Sequence, residues 1–125
     1  MAELINLVTF TDKRGNLTVI EKVAPFEIKR IFYIYGVDDS MRGGHRHKTT
    51  SQAAICIKGS CDIYNNNGSK EDLYVLDSPS KCLILKPEDW HYMNNFSQDA
   101  ILMVLASHYF DPEDYIYTPY SNGRI

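Results

Sequence analysis

Residues 41–48, MRGGHRHK, contain two histidines one residue apart, and the sequence that follows them is typical of a β-strand. Side chains alternate across a strand, so His45 and His47 are predicted to point to the same face. In a barrel that face can be the interior, where imidazoles that titrate near neutrality exchange protons with a substrate or hold a metal ion. The alternative is a pair of solvated histidines in a basic loop, and the rest of the sequence argues against it.

Short runs of β-branched, aromatic and aliphatic residues recur along the chain, each ended by turn residues. They predict strands at residues 17–20, 28–35, 53–57, 61–64, 73–76, 82–85 and 101–105. No long segment has the 3.6-residue period of an amphipathic helix. The pattern therefore predicts an all-β fold, a sandwich or a barrel, rather than an α/β sheet.

The turns between these runs have specific chemistry. Residues 58–60, Lys-Gly-Ser, and residues 65–68, Asn-Asn-Asn-Gly, are both predicted to be hairpin connections, because glycine and asparagine tolerate positive φ. Residues 111–114, Asp-Pro-Glu-Asp, offer an N-cap, a proline at the first helical position and acids in the first turn. They predict one short C-terminal helix.

Size and composition exclude several classes of protein. The chain has 125 residues, which suits one domain over 1–125, and its net charge of −3 comes with no clustered basic face, so no nucleic-acid partner is expected. No apolar run is long enough to span a bilayer and the N-terminus lacks a cleavable signal pattern, so we expect a cytoplasmic protein with no membrane partner. The three cysteines lie in or beside apolar runs and are expected in the core, at Cys56, Cys61 and Cys82.

Two segments together resemble the motifs of the cupin superfamily, a small β-barrel (jelly roll) of two packed sheets. The first motif is matched at Gly43 or Gly44, His45, His47 and Gly59, and the second at Pro87, His91 and Asn95. Ser51-Gln52 stands where a metal-binding cupin has its glutamate. At most three histidines then remain as metal ligands, with Gln52 as a weak fourth, so we expect metal-free acid–base chemistry with no metal and no cofactor.

A closer resemblance covers nearly the whole chain, from Phe10 to Tyr115. Residues 12–21, 25–34, 42–48, 90–93 and 103–107 are similar to the dTDP-4-keto-6-deoxyglucose 3,4-ketoisomerases, which are cupins. The resemblance implies an enzyme, an intramolecular oxidoreductase, that makes a dTDP-3-keto-6-deoxyhexose from the dTDP-linked 4-keto sugar. Its product leads to 3-amino sugars of bacterial polysaccharides and antibiotics. The C4 configuration of the product stays open, because Asn16 and Asn94 match neither pattern of the family.

The resemblance also implies roles for individual residues. It places His45 and His47 at the sugar as the proton-transfer pair, and Arg30, Tyr33 and Arg42 around the nucleotide-sugar. Both arginines suit the diphosphate, since guanidinium binds phosphate oxygens in a bidentate way, although surface ion pairs are the alternative. For His91 a substrate-binding role in the cavity and a purely structural role in the core are equally compatible with the sequence.

The proposed chemistry needs a group that acts both as base and as acid. Moving a carbonyl from C4 to C3 removes the C3 proton, passes through an enediol and returns a proton to C4. Histidine suits both halves at neutral pH. The alternatives are a nucleotide-sugar epimerase of the same fold, and a metal-binding cupin that acts as a dioxygenase or a sensor.

We also expect a homodimer. The aromatic-rich run at residues 28–35 has no clean solvent face, and a segment around Leu4 to Phe10 is expected to add to the partner's sheet, which would cover an exposed edge.

Overall fold

The computed structural model describes residues 2–125, and their secondary structure is almost entirely strand. The described residues form twelve strands and one turn of 3₁₀ helix. The strands are β1 (Glu3–Asn6), β2 (Val8–Asp12), β3 (Gly15–Val19), β4 (Arg30–Ile34), β5 (Arg42–His47), β6 (Gln52–Lys58), β7 (Cys61–Asn66), β8 (Glu71–Leu76), β9 (Lys81–Leu85), β10 (Trp90–Asn94), β11 (Ile101–Ala106) and β12 (Tyr115–Ile116). All seven strands predicted from the sequence are present.

The strands form two antiparallel sheets packed face to face. The first sheet has the order β1-β9-β6-β11-β4 and the second has the order β12-β5-β10-β7-β8, while β2 and β3 make a separate hairpin. This confirms the all-β, cupin-like prediction. The two histidines prove to lie within a strand, β5, rather than just before one.

The core lies between the two sheets because each contributes one apolar face. From the first sheet come Cys56, Leu83 and Leu102, and from the second come Ile63 and Leu76, all with almost no exposed surface. Strand β6 is buried on both faces, since a second cluster forms on the outer side of the first sheet. Burial on both faces explains the continuous apolar run in β6, because a strand with one solvated face would alternate apolar and polar residues. All three cysteines are buried and unpaired, as expected.

The turn between β6 and β7 requires a glycine. Gly59 has φ +70°, and a Cβ there would collide with the Ser97 hydroxyl and lie 2.7 Å from an Asp99 carboxylate oxygen. The second predicted hairpin is also present, with Gly68 at φ +93° between β7 and β8.

The predicted C-terminal helix is a single 3₁₀ turn, Pro112–Asp114. Asp111 caps it by accepting a hydrogen bond from the Glu113 backbone N–H at 3.0 Å. The turn stays short because residues 115 and 116 leave it to pair with β5 as β12. No helix in the described residues is long and apolar enough to cross a membrane.

Candidate active site

Three histidines meet on the inner face of the second sheet. His45 and His47 lie two residues apart on β5, and His91 on β10 is the direct partner of His45 in the strand pairing. The ring of His45 is 5.0 Å from the rings of both other histidines, measured between centroids. One ring nitrogen from each histidine lies within 4.8 Å of the others. Side-chain alternation and strand register together therefore produce a compact imidazole cluster.

Gly43 and Gly44 shape the strand that carries two of these histidines. Both have positive φ, +86° and +84°, and the pairing of β5 with β10 is irregular at this point. A Cβ on Gly43 would lie 3.1 Å from the His91 carbonyl oxygen and 3.2 Å from the Met93 sulfur. The glycine pair thus allows β5 to approach β10 closely just before the histidines.

His47 is held by a buried carboxylate. Its Nδ1 lies 2.9 Å from Oδ2 of Asp114, and both residues are almost completely buried. An ionised carboxylate only accepts hydrogen bonds, so Nδ1 is the donor. The other ring nitrogen, Nε2, is buried without a hydrogen-bond partner among the described residues.

His91 is oriented in the same way from a different element. Its Nδ1 donates to the Asp89 carbonyl oxygen at 3.0 Å, in the turn that leads from β9 into β10. In a neutral imidazole this places the proton on Nδ1 and leaves Nε2 with a lone pair.

The cluster favours neutral imidazoles. Burial lowers the pKa of His45 and of His91 to about 4, because a charged ring loses its hydration. The pKa of His47 is also lowered by burial, although its hydrogen bond to Asp114 opposes that shift. At neutral pH the three rings are therefore uncharged and able to accept a proton.

Arg30 brings a positive charge to the same interior. It lies on β4 of the opposite sheet, with its guanidinium carbon 5.5 Å from the Phe32 ring centroid and 5.8 Å from that of Phe110. Its charge contributes to lowering the pKa of His47, and its buried Nε has no hydrogen-bond partner in the part of the chain that the structure describes. The interior thus offers a cation with unused hydrogen-bonding capacity to an anionic ligand.

An aromatic wall closes one side of the cluster. The Tyr115 ring lies 4.7 Å from the rings of both His45 and His47, and Tyr117 stacks on Tyr115 at 6.1 Å. The Trp90 indole N–H fixes this wall by donating to the Tyr117 carbonyl oxygen at 3.1 Å.

The structure brings together four of the six residues expected at the site. Arg30, His45, His47 and His91 face the interior, whereas Tyr33 lies on the outer face of the first sheet with 63% of its surface exposed. Arg42 is exposed at the start of β5 and lines a small cleft together with residues 35–38 and Ser40.

Asp114, Tyr115 and Tyr117 are site residues that sequence reasoning missed. The sequence indicates Asp114 only as a residue of the first turn of a short helix. The one available signal was the spacing of the two tyrosines, which places them on the same face of an extended segment.

The low histidine pKa values predict that the protein loses stability in mild acid. Between about pH 6.5 and pH 4 the unfolded chain binds protons that folded His45 and His91 do not, so the free energy of unfolding falls as the pH decreases. From about pH 7 to about pH 5 we expect a loss on the order of 1–2 kcal/mol per histidine. Thermal unfolding of the wild type and of His91→Gln measures it. If the free energy of unfolding fell with decreasing pH as steeply in His91→Gln as in the wild type, the loss of stability would not come from His91.

Comparison with known proteins gives consistent matches. Residues 1–122 match the family model FdtA, WxcM-like, C-terminal. The chain is 42% identical over 117 residues to the TDP-4-oxo-6-deoxy-alpha-D-glucose-3,4-oxoisomerase of Aneurinibacillus thermoaerophilus, covering 91% of this chain and 84% of that protein.

Two solved structures are similar over most of their length. One is the WlaRB TDP-quinovose 3,4-ketoisomerase of Campylobacter jejuni, with a TM-score of 0.89 and 40% identity over 94% of this chain and 92% of that one. The other is a histidine-to-asparagine variant of the 3,4-ketoisomerase QdtA of Thermoanaerobacterium thermosaccharolyticum in complex with TDP-4-keto-6-deoxyglucose. It has a TM-score of 0.89 and 41% identity over 94% of this chain and 87% of that one.

Proposed function

Because this chain belongs to the FdtA (WxcM-like, C-terminal) family, we propose that it is a sugar 3,4-ketoisomerase that converts dTDP-4-keto-6-deoxyglucose to a dTDP-3-keto-6-deoxyhexose. The observation that carries the proposal is the buried imidazole of His47, whose Nδ1 is bonded to Asp114 and whose Nε2 has no partner within residues 2–125. Such a ring can take a proton from carbon and return it, as an isomerisation through an enediol requires.

The reaction is redox-neutral and needs only proton transfer. A histidine removes the C3 proton, and the C–H electron pair forms the C3–C4 double bond of an enediol whose oxygen at C4 takes up a proton. The O–H at C3 then loses its proton, the C3 carbonyl forms, and C4 receives a proton from the cluster. His45 and His47 are assigned to these transfers because their rings are adjacent and half to fully buried.

The remaining interior groups bind the nucleotide-sugar. Arg30 is assigned to the diphosphate, since it is an interior cation with an unpaired Nε. His91, which is fixed by the Asp89 carbonyl, contacts the sugar. Arg42 lies at the open end of β5, where a guanidinium can reach the outer part of the ligand.

A direct assay tests this function. The purified protein is incubated with dTDP-4-keto-6-deoxyglucose and the position of the carbonyl is read by ¹³C NMR. A ketoisomerase yields a carbonyl at C3. An epimerase would leave the carbonyl at C4 and invert a neighbouring centre, which would overturn the proposal.

A metal-binding cupin is the second candidate because the three histidine nitrogens converge. Three imidazoles suffice to hold zinc, and a bound cation would act as a Lewis acid on a carbonyl. The donor set fits a metal only in part, since Gln52 supplies no charge at the place of the usual glutamate.

We expect isomerase activity to survive exhaustive dialysis against a chelator, because proton transfer by imidazole needs no cation. Turnover and metal content by plasma mass spectrometry are measured before and after dialysis. Activity that disappears and returns only with zinc, iron or manganese would establish the metal-dependent alternative.

We further propose that the chain forms a homodimer through an apolar outer face of the first sheet. This face, called here the tyrosine face, consists of Tyr33, Tyr35, Ile57, Ile101 and Met103, which line one shallow groove. Tyr33 and Tyr35 stack at 5.7 Å and are exposed by 63% and 69%. Contiguous exposed apolar surface of this kind is typical of an interface, and Tyr33 is assigned to it.

The hairpin of β2 and β3 supports the same proposal. Among the described residues β1 pairs with β9 of its own chain, and β2 and β3 pair only with each other. Val8, Phe10 and Leu17 are exposed by about 60% each. A two-stranded hairpin is marginally stable by itself, and a second copy of the chain would cover its apolar side chains.

Ile57→Asp should convert the dimer to a monomer, because a buried unpaired carboxylate in the interface carries a large desolvation cost. Light scattering at micromolar concentration should give about half the wild-type mass. Leu73→Asp is the matched control, since Leu73 is equally exposed, at 42%, but lies on the other sheet. A monomeric wild type would contradict the dimer.

A further inference from the structure

Asp114 is buried and accepts five hydrogen bonds. Its Oδ1 accepts from the backbone N–H groups of Lys48 and Thr49, at 3.1 and 2.8 Å, and from the Thr49 hydroxyl at 2.9 Å. Its Oδ2 accepts from the Thr50 hydroxyl at 2.5 Å and from Nδ1 of His47 at 2.9 Å. The two oxygens thus have different tasks: Oδ1 anchors the chain that follows β5, and Oδ2 contacts the histidine.

The carboxylate stays ionised in this environment. Hydrogen bonds from Thr49, Thr50 and His47 hold the pKa of Asp114 well below its usual range, despite the opposing effect of burial. An ionised carboxylate cannot donate, so the only hydrogen bond that it can form with His47 is one donated by Nδ1.

The 3₁₀ turn fixes the position of Asp114. Its backbone N–H donates to the Asp111 carbonyl at 3.1 Å, and its own carbonyl accepts from the Lys48 N–H at 2.9 Å. The next residue, Tyr115, pairs with His47 in the sheet and places its ring against the imidazole. Two consecutive residues, Asp114 and Tyr115, therefore fix the orientation of the His47 ring from two sides.

We propose that Asp114 is a positioning residue, which holds His47 in the Nδ1–H tautomer and directs the lone pair of Nε2 toward the substrate. The proposal rests on the proposed isomerase function. Nε2 of His47 is buried with no hydrogen-bond partner in the part of the chain that the structure describes, so this nitrogen is the one left for a substrate. The proposal also distinguishes His47 from His45, on whose pKa burial, His91 and the Gly43 backbone act, with no carboxylate partner among residues 2–125.

Asp114→Asn tests the proposal with little change of volume. The amide can present its N–H₂ to Nδ1 and so favour the Nε2–H tautomer, which has no lone pair for the substrate. We expect turnover to fall by about 10²- to 10⁴-fold, as for loss of a carboxylate that orients a catalytic histidine, while KM changes by less than about threefold. Thr49→Val is the matched control, because Thr49 bonds only Oδ1, and its turnover should stay within about threefold of the wild type.

A spectroscopic readout separates this proposal from the function on which it rests. ¹⁵N-detected NMR of the histidine rings reports the tautomer of His47 without any substrate. We expect Nδ1–H in the wild type and in Thr49→Val, and a shift toward Nε2–H in Asp114→Asn. That result would support the positioning role even in a wild type without isomerase activity. An Nε2–H tautomer of His47 in the wild type would overturn the proposal, and this measurement does not depend on the folding of a variant. Wild-type turnover in a folded Asp114→Asn would also overturn it.

Discussion

His47→Asn should lower the turnover of the isomerase by about 10²- to 10⁴-fold, the usual contribution of a general acid–base group. Asparagine is of similar size but cannot take up a proton near neutral pH. The variant keeps a polar amide beside Asp114 but has no imidazole to transfer a proton. His45→Asn should have an effect in the same range, because the two rings lie 5.0 Å apart and share the inner face.

The affinity for dTDP should change little in both variants, since the nucleotide is assigned to Arg30 and other groups outside the histidine pair. His108→Asn is the control, because His108 is the one histidine of the chain outside the cluster and is exposed beyond β11. Steady-state kinetics with the keto sugar and calorimetry with dTDP give the two quantities. Isomerisation at wild-type rates in both His45→Asn and His47→Asn would disprove the histidine mechanism.

Arg30→Met should weaken the binding of dTDP by about 10- to 100-fold, because a charge-assisted hydrogen bond to phosphate contributes about 1.5–3 kcal/mol. Methionine places a long apolar side chain beside Phe32 and Phe110 but has no positive charge. KM for the keto sugar should rise by a similar factor, and turnover should fall less.

Lys29→Met is the matched control for Arg30→Met. It removes the same charge from the neighbouring residue, whose side chain is exposed to solvent. Calorimetry should show wild-type affinity for Lys29→Met. Equal affinities of Arg30→Met and the wild type would show that the diphosphate lies elsewhere.

Local patterns were sufficient to predict most of the fold. The glycine turn after β6 and the Asn-Gly turn after β7 lie where their preference for positive φ indicated. The shared face of His45 and His47 follows from the two-residue period of a strand. The strands of the N-terminal region could not be predicted as well. The segment around Leu4 to Phe10 was expected to add to the partner's sheet, and in the structure it divides at Leu7 into β1, which pairs with β9, and β2, which pairs with β3.

The contacts that complete the site could not be predicted in this way. Asp114 is 67 residues from His47, and only the pairing of β12 with β5 brings them together. Alternation along β4 puts Arg30 and Tyr33 on opposite faces, but the sequence does not indicate which face is internal. In the structure the face of β4 that carries Arg30 is the internal one, because Phe32 and Ile34 on that face pack against the core.

Proton exchange at C3 of the substrate is the sharpest test of isomerisation by histidine. The wild type is incubated with dTDP-4-keto-6-deoxyglucose in deuterated water, and deuterium and carbonyl positions are followed by NMR. We expect exchange of the C3 proton together with movement of the carbonyl to C3, and neither change with His47→Asn. A carbonyl that moves to C3 at the same rate in His47→Asn, or one that stays at C4 with the wild type, would contradict this mechanism.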